Sequence, residues 1–180
     1  MLTSNKQIFD QLIRTCVREL IEQCGLKVSD SQGAAAPMER AAAVGFSGDQ
    51  VRGAIGLGMQ ATTLQRLADA QAPPAQDAAL ERDALLEDWL GETANQLLGR
   101  FKNRLLGHGA SVSMALPMVL RGLRMQFASD RDDRVTTYVF DSAEGPICVW
   151  LDVRVHDGFL LTTATNPELL GAPEGALMLF

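Results

Sequence analysis

From Glu81 to Leu106 apolar residues recur at three- and four-residue intervals. At about 100° per residue, Leu86, Leu90, Ala94, Leu97, Phe101 and Leu105 fall in one band, which Trp89 and Leu98 widen. A stripe of that length must be buried, so the helix needs a broad apolar surface to lie on. Gly107-His108-Gly109 ends it. The strand-like runs elsewhere in the chain make a sheet the expected surface.

Residues 5 to 24 read as a second amphipathic helix, with Ile8, Leu12, Ile13, Cys16, Val17, Leu20, Ile21 and Cys24 on its stripe, Ser4 as N-cap and Gly25 as stop. SDSQGAAAP, 29 to 37, reads as a loop. AAAVGFS and VRGAIGLGM form a hairpin around SGDQ. ATTLQRLADA reads as a short helix and QAPPAQDA as a linker, because its prolines remove backbone donors. After the long helix about four strands are expected, among them LRMQFAS, VTTYVFDS and PICVWLDVRV. Helices and strands come in runs rather than in strict alternation. The expected class is therefore α+β, a largely antiparallel sheet packed against long amphipathic helices. A helix followed by a hairpin in each half suggests a weak internal repeat. The 180 residues suit one domain. Its core is placed at about 5–157, with an extension over 158–180 whose apolar residues show no clear period; docking on the body and docking on a partner both stay open.

The totals exclude several classes. With 16 Lys and Arg against 22 Asp and Glu, the net charge is -6. Nucleic acid and anionic membranes are poor partners for such a chain, since phosphate contacts need clustered cations. Cys16, Cys24 and Cys148 show no CxxC spacing, and the first two fall on a helix stripe, so buried thiols are expected rather than a metal or redox site. The odd cysteine count, and a first segment MLTSNKQIFD without an apolar export region, point to the cytoplasm. No apolar run reaches the roughly 18 residues of a membrane span.

Packing leaves one face of the long helix unexplained. Asp88, Glu92, Asn95 and Gly99 lie within roughly 60° of one another, opposite the apolar band. Glu92 and Asn95 are an i, i+3 pair, with Cβ atoms about 5–6 Å apart. Gly99 costs about 1 kcal/mol of helix propensity relative to Ala and leaves room for another molecule to come close. The plain alternative is a solvated face: the acidic start (Glu81, Asp83, Glu87, Asp88) and basic end (Arg100, Lys102, Arg104) suit the helix dipole.

Asp88-x3-Glu92-x2-Asn95, followed by a strand carrying Pro117 in SVSMALPMV, resembles the signature of the CheC/CheX/FliY chemotaxis phosphatases. GAIGLGMQATTLQRLADA is similar to that family's strand-then-helix unit and VFDSAEGPICVWLDV to its late hairpin, so the likeness runs from about residue 5 to residue 156. A single motif per chain resembles CheX more than CheC. The resemblance implies hydrolysis of the phosphoaspartate of a CheY-type receiver domain. In that role Asn95 would position the water, and Glu92 would dock on the receiver's lysine. Asp88 and Gly99 would extend the contact, and Pro117 would shape the following strand. It also implies no cofactor on this chain, with Mg²⁺ held by the receiver, and a homodimer paired through sheet edges that VTTYVFDS and PICVWLDV could offer. The same superfamily contains the FliM middle domain, which keeps the fold without the catalytic pair, so a non-catalytic receiver-binding or switch-complex module is the alternative.

Other chemistries find little support. His108 sits in the GHG turn, read as solvated, and His156 is the only other histidine. There is no HExxH, no GxxxxGK[ST] loop and no GxSxG elbow, and GAIGLG has the wrong glycine order for GxGxxG. Arg121, Arg124, Arg131 and Arg134 form a loose basic cluster, read as solvated surface.

Overall fold

A computed structural model describes residues 3–31, 33, 37–71, 79–126 and 135–162. In chain order the elements are α1 (Thr3–Gln23), β1 (Val28–Asp30), β2 (Met38–Ser47), β3 (Val51–Met59), α2 (Ala61–Gln71), α3 (Ala79–Gly107), β4 (Ser113–Met114), β5 (Met118–Met125), β6 (Val135–Ser142) and β7 (Gly145–Val155). The strands form one antiparallel sheet in the order β1-β6-β7-β3-β2, with β4 and β5 both paired to the outer side of β2. The expected α+β class is the observed one.

Both long helices form where the periodicity places them, and both stop at glycines with positive φ, Gly25 (75°) and Gly109 (87°). At each end the amide beyond the glycine reaches back to a carbonyl of the last turn: Leu26 N–H to Ile21 O at 3.2 Å and Ala110 N–H to Leu105 O at 3.1 Å. These are Schellman closures, which satisfy carbonyls the helix leaves without partners.

α1 and α3 lie on the same side of the sheet. Phe101 of α3 stacks on Phe9 of α1 with centroids 6.1 Å apart and tilts against Phe46 of β2 at 5.7 Å. Ile13, Ile55, Leu97, Phe140 and Val149 complete a fully buried centre around it. Burial on this scale, about 25 cal/mol per Å² of apolar surface, is what holds α3 in place.

Three expectations change. Val28–Asp30, expected partly in a loop, pairs with β6, and Asp30 takes ion pairs from Arg14 and Arg18 of α1. The strand expected at LRMQFAS begins earlier, at Met118, directly after the proline that cannot donate to a ladder; residues 127–129 lie outside the described residues. PICVWLDV does not offer an edge, because β7 is paired along both sides, to β3 and β6. VTTYVFDS keeps an open edge only in part, since β1 and the Ser31 amide (2.9 Å to Val139 O) cover its second half. Among the described residues the longer open margin belongs to β5, which pairs with β2 alone.

The chain after β7 folds back onto the body as far as it is described. The buried side chain of Asn5 donates to Phe159 O and accepts from Leu161 N–H, each at 2.9 Å. His108 is buried as well: its Nδ1 sits 2.6 Å from Thr162 O, and the Thr162 amide donates to His108 O at 3.0 Å. The solvated turn histidine expected from the GHG sequence is thus a packed residue, because residues 159–162 cover the helix end. Residues 163–180 lie outside the described residues.

Candidate functional site

α3 divides sharply by face. Leu90, Ala94, Leu97, Leu98, Phe101 and Leu105 are fully buried, while Leu86 and Trp89 are half-buried at the margin. Opposite them run Asp88 and Glu92, both exposed, then Asn95 and Gly99, both half-buried. The helical period therefore brings the four candidate residues onto one ridge, as their spacing requires.

Within the ridge, Glu92 Oε1 accepts a hydrogen bond of 3.0 Å from Gln96 Nε2. Asp88 and Asn95 have no side-chain partner among the described residues. The Asn95 amide, with an acceptor and two donors, is free to hold a small molecule. A Cβ added at Gly99 would meet nothing within 4 Å, so the surface beyond Asn95 is open.

Pro117 borders this ridge. A Cβ at Gly91 would lie 3.3 Å from Val119 Cγ2 and 4.0 Å from Pro117 Cβ and Cγ. Gly91 is the residue before Glu92 and one turn before Asn95, so β5 and the turn leading into it are seated directly against the part of α3 that carries the ridge. Sequence reasoning missed Gly91. Its signal was a second glycine inside a helix, a costly choice unless something must approach there.

Further along, Arg121 Nε donates to Glu87 Oε1 at 2.8 Å and the guanidinium lies 3.4 Å from Asp83 Oδ2. Arg121 is exposed, as expected, but it is also an ion-paired clasp between β5 and α3. Arg124 is exposed with a left-handed φ of 54°, and Arg131 and Arg134 lie outside the described residues.

No other cluster among the described residues offers metal or thiol chemistry. Among the described residues no group of three or more His, Cys, Asp or Glu side chains is placed to hold a metal. None of the cysteines is in a disulfide. Burial pushes the Cys16 thiol up to about 12 and the Cys148 thiol up to about 11, so neither supplies a thiolate near neutral pH. Cys24, expected buried, is half-buried because it falls in the turn after α1. No described helix is long and apolar enough to cross a membrane.

Comparison with known proteins gives a consistent result. The family model described as chemotaxis phosphatase CheX matches residues 40–141, which include the α3 ridge and Pro117. No curated protein matches. Among solved structures, the chemotaxis protein CheX of Vibrio vulnificus superposes with a TM-score of 0.69 at 16% identity, over 80% of this chain and 95% of that one. A CheC-like superfamily protein from Shewanella sp. PV-4 gives 0.68 at 19%, over 86% and 99%. CheX of Borrelia burgdorferi, in a CheX–CheY–BeF3–Mg²⁺ complex, gives 0.63 at 17%, over 86% and 99%. At these identities the structures establish a shared fold, whereas the family model spans more than half of the sequence; the chain belongs to the CheX family of chemotaxis phosphatases.

Proposed function

We propose that this chain hydrolyses the phosphoaspartate of a CheY-type receiver domain, with Asn95 positioning the water and Glu92 docking the receiver. The observation that carries the reading is an uncommitted Asn95 amide, one turn from an exposed Glu92, on the outer ridge of a helix whose other side is fully packed. The Borrelia relative, a CheX in complex with CheY, supports a receiver as partner.

An acyl phosphate is already activated, so the task is to place a water in line with the phosphorus–carboxylate bond. Water oxygen bonds to phosphorus, the P–O bond to the aspartate breaks, and the electron pair leaves with the carboxylate. The water's protons pass to phosphate and solvent. Asn95 suits this because its amide accepts from the water and donates to a phosphoryl oxygen without titrating. Catalysis of this kind rests on positioning and charge stabilisation. Glu92, held at one oxygen by Gln96, presents the other to a lysine ammonium. Asp88 extends the acidic ridge, Gly99 leaves clearance for the receiver's backbone, and Pro117 fixes the border. Mg²⁺ belongs to the receiver. Two copies would pair through the open margin of β5 rather than through β7, whose ladder is full.

The test is the decay of a Mg²⁺-loaded, phosphorylated CheY-type receiver, alone and with the native protein, Asn95→Ala or Glu92→Ala. Faster decay with native protein, lost in Asn95→Ala while binding persists, is the expected result. Binding without acceleration by the native protein would instead favour a non-catalytic receiver-binding module.

A further inference from the structure

Leu116 is 90% exposed, beside an exposed Pro117, and is the most exposed large apolar side chain among the described residues; Met118, paired with Ala43, turns to the sheet face away from α3. The backbone around them is held. The Ala115 amide donates to Gly45 O at 2.9 Å, tying the segment to β2. Pro117 and Val119 press on α3 at Gly91, and Arg121 clasps Glu87 and Asp83 one to two turns earlier. β5 therefore runs antiparallel to the first half of α3. Going backwards from Arg121 through Val119 to Pro117, the chain advances along α3 from Asp83 to Gly91. The next step, Leu116, continues toward the turn that carries Asn95.

We propose that Leu116, with Pro117, is an apolar lip that contacts the receiver beside its phosphorylated carboxylate and sets the affinity of the encounter; this rests on the receiver reading above. Three features support the assignment. An aliphatic side chain held in water between two anchored residues gains only when something covers it. Residues 115–120 carry no charge, while the neighbouring ridge is acidic through Asp88 and Glu92. The pair thus complements a surface that presents an ammonium group with apolar side chains next to it. Leu116 also precedes β5 rather than lying on its ladder, so strand pairing between two copies would leave it uncovered. Leu116 makes no contact with the reacting atoms in this scheme and is a docking residue.

The experiment measures phosphate loss against receiver concentration for the native protein, Leu116→Ala, Leu116→Asp, Asn95→Ala and Leu160→Asp. Leu160 is 52% exposed and lies beside the end of α3, about 25 Å along the helix from Gly91, and serves as the control. Leu116→Asp is expected to raise the half-saturating receiver concentration about tenfold and Leu116→Ala about threefold, with kcat within about twofold. Asn95→Ala should show the opposite split, and Leu160→Asp should match the native protein. Thermal melting checks that each variant stays folded, as a 90% exposed side chain predicts. An active native protein with unchanged saturation in both Leu116 variants overturns the lip, as does an equal loss in Leu160→Asp. A native protein that neither binds a receiver nor accelerates its decay removes the receiver reading and the lip with it, an outcome visible before any variant is compared; if it binds without acceleration, the same variants are compared by receiver affinity, and unchanged affinity in both Leu116 variants overturns the lip.

Discussion

α1 and α3 lie side by side on the same sheet, yet they dispose of their polar residues in opposite ways. On α1 most charged residues are spent internally: Arg14 and Arg18 on Asp30, Glu19 on Arg104 at 2.6 Å, and Asp10 on the Tyr138 hydroxyl, with Lys6 and Glu22 exposed. On α3, Arg100 and Arg104 join that network, but Asp88 and Asn95 do not, and Glu92 has only its helix neighbour Gln96. A polar side chain with an internal partner helps define the fold. One without such a partner, on a helix that is otherwise fully seated, is available to another molecule.

The comparison can be broken in several places. The largest effect belongs to the packed side that both helices share: Phe101→Ala removes the ring between Phe9 and Phe46 and should cost about 3–5 kcal/mol of stability in denaturant titration. Next comes the free side of α3. Asn95→Ala should lower kcat for receiver dephosphorylation by about a hundredfold, the size seen when one positioned polar group is removed. Its unfolding midpoint should hardly move, as for other surface changes. A large drop in stability there would mean that Asn95 has a structural partner after all.

The buried thiol of α1 adds a pH test. Cys16 ionises at about 12 in the folded protein against an ordinary value of 9.0. Only the unfolded chain loses its proton between those values, so this contribution is intact below pH 9 and is lost as pH rises toward 12. The slope from this one thiol is about 1.4 kcal/mol per pH unit. Unfolding free energies at pH 8 to 11 should therefore fall less steeply in Cys16→Ala than in the native protein.

Smaller still is Asp30→Asn, which loosens the two arginines of α1. Both partners are partly exposed, so about 1 kcal/mol or less is expected, with dephosphorylation unchanged. The smallest change is the most telling. Gly99→Ala should raise stability by roughly 0.5–1 kcal/mol, because its Cβ meets nothing. If the ridge is a docking surface, the same methyl should weaken receiver binding. A variant both more stable and equally active would place Gly99 outside the contact.

What was legible in the sequence follows from how local each signal is. α1, α3 and the β2–β3 hairpin announce themselves through period and turn chemistry. The ridge of Asp88, Glu92, Asn95 and Gly99 is arithmetic on the helical repeat. Val28–Asp30 has too few residues for any period, and it exists because Arg14, Arg18 and β6 hold it. Gly91 gains its meaning only from Val119 and Pro117, which approach from 26 or more positions away. The ion pairs of Arg121 were not legible because Asp83 and Glu87 lie more than thirty residues back. The edges of the sheet could not be read at all, since a strand does not record how many neighbours it will have.

The clamp at Asn5 bears on how the molecule is made. The first turn of α1 leaves the ribosome early, but its side-chain amide closes on Phe159 and Leu161, among the last described residues to be synthesised. Until those residues emerge, a polar group meant for the interior has no partner and favours water. The first turn of α1 is thus fixed only after residues 159–161 emerge, and a nascent chain short of residue 161 carries an unlatched α1. Chaperone contact or proteolysis at the first turn of α1 during synthesis would report on the emergence of residues 159–161.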